Sequence, residues 1–214
     1  KDGLPFQGKK DPVQSTLSCY DLEASRLAAL YEQAEMQHIH RELQNLFPPG
    51  TKVLELGCGS GREGAFLINR GVEVILTDGS KEMLQEASKQ HPQLAGKLIH
   101  LPLPATFPFP AESFDGVYSL ALLMHLPQES LPYLFKEIFR VLKPGGKLFF
   151  SVSISRSDIN PQGWDQKGRY FLILPEDEWI KLAEDAGFFL IKSHFDPDQL
   201  GERKILWLSL FFQK

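Results

Sequence analysis

The chain reads as an α/β protein built on a doubly wound, mostly parallel sheet of seven strands, with helices on both faces. Three observations predict this. Apolar strand-like runs alternate with amphipathic helical segments from about residue 51 to residue 186, which is the pattern of strand–helix–strand crossovers. A glycine-rich segment joins the first of these strands to the first helix. The last two runs, "FFLIKSHF" and "KILWLSLFFQ", have no helix between them, so the seventh strand is expected to return antiparallel to the sixth.

Each element has its own signal. From Tyr20 to Phe47 the periodicity is helical and split: Leu27, Leu30, Tyr31 and Ala34 share one face, and Ile39, Leu43, Leu46 and Phe47 share another. Pro48, Pro49 and Gly50 end this region. "KVLELG" is a buried strand, followed by a helix from Gly61 to Arg70 that Gly71 stops. "VEVILT" is the second strand; the helix after it is capped by Ser80 and ended by Pro92. "KLIHL" and "SFDGVYSLAL" are strands three and four. Leu131, Leu134, Phe135, Ile138, Phe139 and Leu142 mark an amphipathic helix that ends at Lys143-Pro144-Gly145-Gly146, and "KLFFSVSI" is strand five. A helix over 175–186 starts with proline and is followed by Gly187. The polar, Gly- and Pro-rich start predicts a flexible tail over residues 1–18. A single domain over 19–214 follows, with a helical lid (19–49), a ligand-binding half (50–152) and a substrate-side half (153–214). The irregular stretch from Ser153 to Leu174 is long enough to suggest a functional loop.

With 214 residues, 43% of them hydrophobic, the chain is long enough for one well-packed domain. It carries 23 basic and 27 acidic residues, a formal charge of −4, which argues against a non-specific nucleic-acid binder. Two cysteines, Cys19 and Cys58, are too few for a disulfide framework or a zinc site, which predicts a cytoplasmic protein without metal. No apolar run approaches the roughly 20 residues needed to span a bilayer, so no membrane partner is expected.

The segment "VLELGCGSGREGAFL" fits two glycine fingerprints. Gly57, Gly59 and Gly61 form acidic-x-G-x-G-x-G with Glu55 as the acid; Gly59, Gly61 and Gly64 form G-x-G-x-x-G, the dinucleotide pattern. In both, glycines at a strand-to-helix turn admit a ligand that a Cβ would exclude, and Asp78 at the end of strand two is placed to accept from a ribose diol. Glu55 separates the readings: a carboxylate there can meet a cationic amine but would repel a pyrophosphate.

With "LELGCGSG", "SFDGVYS" after a proline-rich connection, and "RVLKPGGKLFFS" leading into strand five, the sequence resembles the class I S-adenosylmethionine-dependent methyltransferases. The likeness is to their small-molecule, ubiquinone/menaquinone-type branch, and it covers about Tyr20 to Phe212. The resemblance implies a Rossmann-like fold and S-adenosylmethionine as cofactor. It assigns Gly57, Cys58, Gly59 and Gly61 to the cofactor cradle, Glu55 to the methionine amino end and Asp78 to the ribose. Gly79 and Met83 then line the adenine side, Ser119 and Leu120 flank the methionine moiety, and Arg62 is a partner for the cofactor carboxylate. One departure stands out. Leu103 and Pro104 occupy the positions where an adenine-binding acid and a donating N–H are usual, so the base is expected to be held mainly by packing.

His125, after strand four, is the candidate general base, and Tyr20 on the lid is a candidate beside the reacting methyl group; His38 and His40 share the same lid. Trp164, Arg169, Tyr170 and Phe171 are candidates for the wall of the acceptor pocket. The function expected is in-line methyl transfer to a small molecule by a monomer or homodimer. A nicotinamide-dependent oxidoreductase and a catalytically inactive cofactor-binding protein are the alternatives. The "WLSLFF" run leaves open whether the last strand is buried in the sheet or faces a partner.

Overall fold

The structure is a computed structural model that describes residues 10–34, 36–197 and 204–214. Helix α1 (Pro12–Gln33) begins where Asp11 accepts hydrogen bonds from the N–H groups of Val13 (2.9 Å) and Gln14 (3.1 Å), with proline in the first turn. Residues 12–18, expected in the tail, are therefore helical: "DP" is a helix start, and the apolar periodicity of α1 begins further along. Residues 1–9 of the expected tail lie outside the described residues, as do residues 198–203 of the connection between the last two strands.

After α2 (Gln37–Leu46) come β1 (Lys52–Leu56), α3 (Arg62–Ile68), β2 (Glu73–Asp78), α4 (Lys81–Gln90), β3 (Leu98–His100), β4 (Phe114–Leu120), α5 (Leu131–Val141), β5 (Leu142–Arg156), α6 (Glu176–Asp185), β6 (Phe189–Pro197) and β7 (Ile205–Gln213). The sheet order is β3-β2-β1-β4-β5-β7-β6. β7 runs antiparallel to both neighbours, inserted between β5 and β6, so the apolar "WLSLFF" run is buried within the sheet. A dinucleotide fold of order 3-2-1-4-5-6 has no such strand. The Lys143–Gly146 turn is absorbed as a bulge: pairing passes from Phe114↔Leu142 to Gly116↔Lys147, with Gly145 at φ +79°.

Strand alternation sorts the interior into two layers. Leu54, Leu56, Leu148, Phe150, Leu210 and Phe212 face the α5/α6 side with Leu134, Phe135, Ile138 and Trp179. Val53, Tyr118, Phe149 and Phe211 face the α2/α3 side with Leu43, Phe47 and Ala65. Glu55 falls on this second face by the same alternation, which puts a carboxylate beneath the start of α3.

Gly116 in β4 sits under the Phe47 ring; an added Cβ would lie 2.1 Å from Phe47 Cε1. Phe47 is buried, so Gly116→Ala is expected to lower stability by about 1–3 kcal/mol, read as a shift in urea midpoint at unchanged slope.

Candidate active site

The site forms at the carboxyl ends of β1, β2 and β4. The loop after β1 runs through Gly57 (φ +75°), Gly59 (+55°) and Gly61 (+82°), conformations that favour glycine. Its path is fixed from β2: Cys58 N–H donates to Thr77 O (2.8 Å) and Gly59 N–H to Asp78 Oδ2 (3.0 Å). Asp78 Oδ1 accepts from Ser80 N–H (2.9 Å), and the Ser80 hydroxyl caps α4 by accepting from Met83 N–H (3.1 Å). Burial pushes the Asp78 carboxyl up to about 6, against the pull of these N–H donors. Burial, reinforced by nearby Glu63, holds Glu55 well above the usual carboxylate range, and Glu55 Oε1 is buried without a hydrogen-bond partner.

Helix α1 lies over this loop. The Tyr31 ring packs against Gly59, 3.5 Å from where a Cβ would stand, and Leu17 lies 2.8 Å from the corresponding position at Gly79. Asp21 accepts from the Ser80 hydroxyl (2.5 Å), and Glu32 pairs with His91 (2.7 Å) at the end of α4. Arg62 donates to the carbonyls of Tyr31 and Ala34, the last of α1, and to Glu63 Oε1 (2.9 Å). Arg62, expected from the sequence to partner the cofactor carboxylate, caps the carboxyl end of α1 in this structure. The favourable charge–dipole contact there is the physical reason.

At the other end, a short 3-10 turn (Leu123–His125) follows β4, after Ala121 at φ +57°. His125 is buried; its Nδ1–H donates to Tyr170 O (2.7 Å), which leaves Nε2 to accept from the Tyr20 hydroxyl (3.0 Å). Burial lowers His125 to about 4, with Arg169 and Arg156 adding to the effect, so the ring is neutral at pH 7. The loop holding Tyr170 is pinned to α1 by Tyr170 N–H to Thr16 Oγ1 (3.0 Å) and by the Ser15 hydroxyl to Gly168 O (2.7 Å).

The structure thus brings Tyr20, His125, Arg169 and the Tyr170 backbone together, and separately gathers Glu55, Gly57, Cys58, Gly59, Gly61, Asp78, Gly79 and Met83. Ser119 is fully buried and ties β4 to β1 by donating to Leu56 O (3.0 Å); Leu120 packs into the α2/α3 layer. Leu103 is buried in the α5/α6 layer, with Pro104 following it. Trp164 stands apart from the Tyr20–His125 pair, packing on Tyr170 (5.5 Å) and under Lys10 (5.6 Å). His38 is exposed, and His40 stacks on Phe66 (4.2 Å). Tyr31 was read only as a helix-face residue; nothing in its spacing signals that it reaches Gly59.

A family described as "Methyltransferase domain" matches residues 53–146. An uncharacterized methyltransferase of Synechocystis sp. is 31% identical over 179 residues, covering 79% of this chain and 82% of the relative. The chain belongs to the class I S-adenosylmethionine-dependent methyltransferases. Ubiquinone biosynthesis O-methyltransferase of Pseudomonas fluorescens is 29% identical over 161 residues, covering 71% of the chain and 61% of that protein. In fold, the chain resembles 1,6-didemethyltoxoflavin-N1-methyltransferase of Burkholderia thailandensis at a TM-score of 0.75 and 19% identity, covering 100% of this chain and 93% of that one. With the antiparallel β7, this family assignment sets aside the nicotinamide alternative and makes S-adenosylmethionine the cofactor. Among the described residues, no helix of this methyltransferase is long and apolar enough to cross a membrane.

The residues fit that cofactor. Glu55 offers a buried oxygen with no partner, the glycines leave backbone without side chains, and each Asp78 oxygen keeps a lone pair beyond its one N–H donor. Asp78→Ala is expected to weaken S-adenosylhomocysteine binding about 10- to 150-fold by calorimetry; unchanged affinity in a folded variant would remove Asp78 from the site. For His125, whose pKa falls on folding, the stability contribution is full above about pH 6.5 and is lost as pH drops through about 4. The stability difference between the ligand-free protein and its His125→Gln variant should therefore change by about 3 kcal/mol across that window, measured by urea unfolding at each pH.

Proposed function

We propose that this methyltransferase acts on a small molecule bound between α1 and the loop over residues 157–174, against the Tyr20–His125 pair. The observation that carries this reading is the 3.0 Å hydrogen bond from the Tyr20 hydroxyl to His125 Nε2, joining the lid to the end of β4. Bound beside it, S-adenosylmethionine supplies a methyl group on a sulfonium, ready for in-line displacement. Glu55 would hold its amino group, Asp78 its ribose hydroxyls, and Gly57, Cys58, Gly59 and Gly61 would border its chain. Gly79, Met83, Leu103 and Pro104 would pack its base, with Ser119 and Leu120 shaping the floor.

The protein's own work is then alignment and the exclusion of water. The Tyr170 carbonyl fixes the His125 tautomer, so Nε2 always presents a lone pair and the Tyr20 O–H always points at it. Tyr20 Oη, oriented by His125 and standing against Arg169, would help position the acceptor. A net charge of −4 supports a small acceptor rather than a nucleic acid.

Incubation with S-adenosylmethionine and a metabolite library, followed by mass spectrometry, should show S-adenosylhomocysteine formed with one methylated product. Tyr20→Phe and His125→Ala should each lower kcat about 100-fold with little change in S-adenosylhomocysteine affinity. Loss of cofactor binding with kcat intact would instead assign the pair to the lid's closure.

A further inference from the structure

The proposed acceptor site has a charge asymmetry that the proposed function does not use. Arg169 reaches it from the loop over residues 157–174 with its guanidinium only partly committed. Nε donates to Asp165 Oδ2 (2.7 Å), and the Tyr20 hydroxyl stands against the same group. A guanidinium has five N–H donors, so several remain, and the side chain keeps 16% of its surface open.

The carboxylate paired with it has its second oxygen engaged elsewhere. Asp165 Oδ1 accepts from the main-chain N–H groups of Lys167 (3.0 Å) and Arg169 (2.8 Å), which ties it into its own loop. Asp158 is engaged side-on by Arg156, through Nε to Oδ1 (2.9 Å) and Nη2 to Oδ2 (2.8 Å). Asp78, across Tyr31, uses both oxygens on main-chain N–H groups of the glycine-loop side. Of the charged groups acting on His125, the guanidiniums of Arg169 and Arg156 outweigh Asp165.

A cationic acceptor would need either a carboxylate or an open aromatic face. The Phe171 ring is already covered: Arg156 lies 3.9 Å from its centroid, Arg169 5.3 Å, and the His125 ring 4.7 Å. An ammonium acceptor would also have to shed a proton before attack, and a His125 that stays neutral at pH 7 takes one poorly. An anion meets none of these obstacles and finds a planar fork of donors.

We infer that the acceptor is an organic acid whose carboxylate docks on Arg169 beside the Tyr20–His125 pair. This rests on the methyltransferase reading of the site, and the test separates the two. With the protein saturated with S-adenosylhomocysteine, three matched probes are titrated by calorimetry: 3-phenylpropanoate, 3-phenylpropanamide and 3-phenylpropylamine. The acid should bind at least about tenfold more tightly than the amide or the amine. Arg169→Gln should abolish that preference and Arg169→Lys should keep part of it, with S-adenosylhomocysteine affinity unchanged in both. An amine or amide that binds as well as the acid would overturn the inference. So would an acid preference that survives Arg169→Gln, or no binding by the acid at all. If Arg169→Gln does not fold, the wild-type preference and the Lys variant still decide. Failure of wild-type protein to bind S-adenosylhomocysteine would overturn the underlying reading instead.

Discussion

Everything above the sheet hangs on one half-buried carboxylate. Asp78 ends β2 and receives the N–H groups of Gly59 and Ser80, one on each oxygen. The first bond sets the course of the glycine loop, and with it the point where α3 starts and Arg62 projects toward α1. The second orients Ser80, whose hydroxyl caps α4 and reaches Asp21 on α1. Two points on α1 are thus referred to the same side chain: its middle through Ser80, its last turn through the loop and Arg62. Tyr20 reaches His125 only because α1 is held at that height. Burial makes this arrangement electrostatically costly, as the raised pKa of Asp78 shows, and two main-chain donors offset part of that cost.

The Tyr170 peptide plays the corresponding part on the acceptor side. Its N–H reaches Thr16 on α1 while its carbonyl receives the His125 Nδ1–H, so the two peptide groups that flank one residue connect α1, loop and imidazole. Movement of the loop away from α1 would take the tautomer-fixing carbonyl with it. The strained backbone at Ala121, just before the turn that carries His125, belongs to the same constraint: φ is +57° and the Ala121 N–H is held by Ser151 O at 2.9 Å.

The parts of this design that were legible in the sequence are those written in local chemistry. Alternating apolar runs give the strands, "CGSG" the ligand-facing loop, Asp78-Gly79-Ser80 a strand end followed by a cap, and the absence of a helix between the last two strands their antiparallel pairing. That β7 enters between β5 and β6 is not local. It depends on the apolar character of both its faces, Leu208, Leu210 and Phe212 on one and Phe211 on the other, a pattern equally open to an interface with a partner. The contact of Arg62 with α1 was not legible because an arginine at a helix start beside an anion site suits two partners, and only the position of α1 brings the second into reach. The start of α1 was placed late because the sequence shows its cap, Asp11-Pro12, ahead of its first apolar face. Tyr31 escaped because a tyrosine in an amphipathic stripe reads as packing.

The two ends of the site differ in charge, and the difference has a structural origin. Beneath the glycine loop the carboxylates Glu55 and Glu63 lie near Arg62, and Glu63 also meets His40. Glu63 takes most of that compensation: burial opposes its ionisation, yet His40 and Arg62 hold it below the usual carboxylate range. Glu55 is left raised with Oε1 unsatisfied, so this end favours a ligand that brings positive charge. At the proposed acceptor end Asp165 pairs with the Arg169 guanidinium through one oxygen and with its own loop through the other. A cationic donor and an anionic acceptor would therefore each meet its complement, with the neutral Tyr20–His125 pair between them. Methyl transfer removes the sulfonium charge while a carboxylate docked on Arg169 keeps its own, so charge complementarity is lost at the donor end alone. The same polarity that selects the cationic donor would then weaken the hold on its uncharged thioether product.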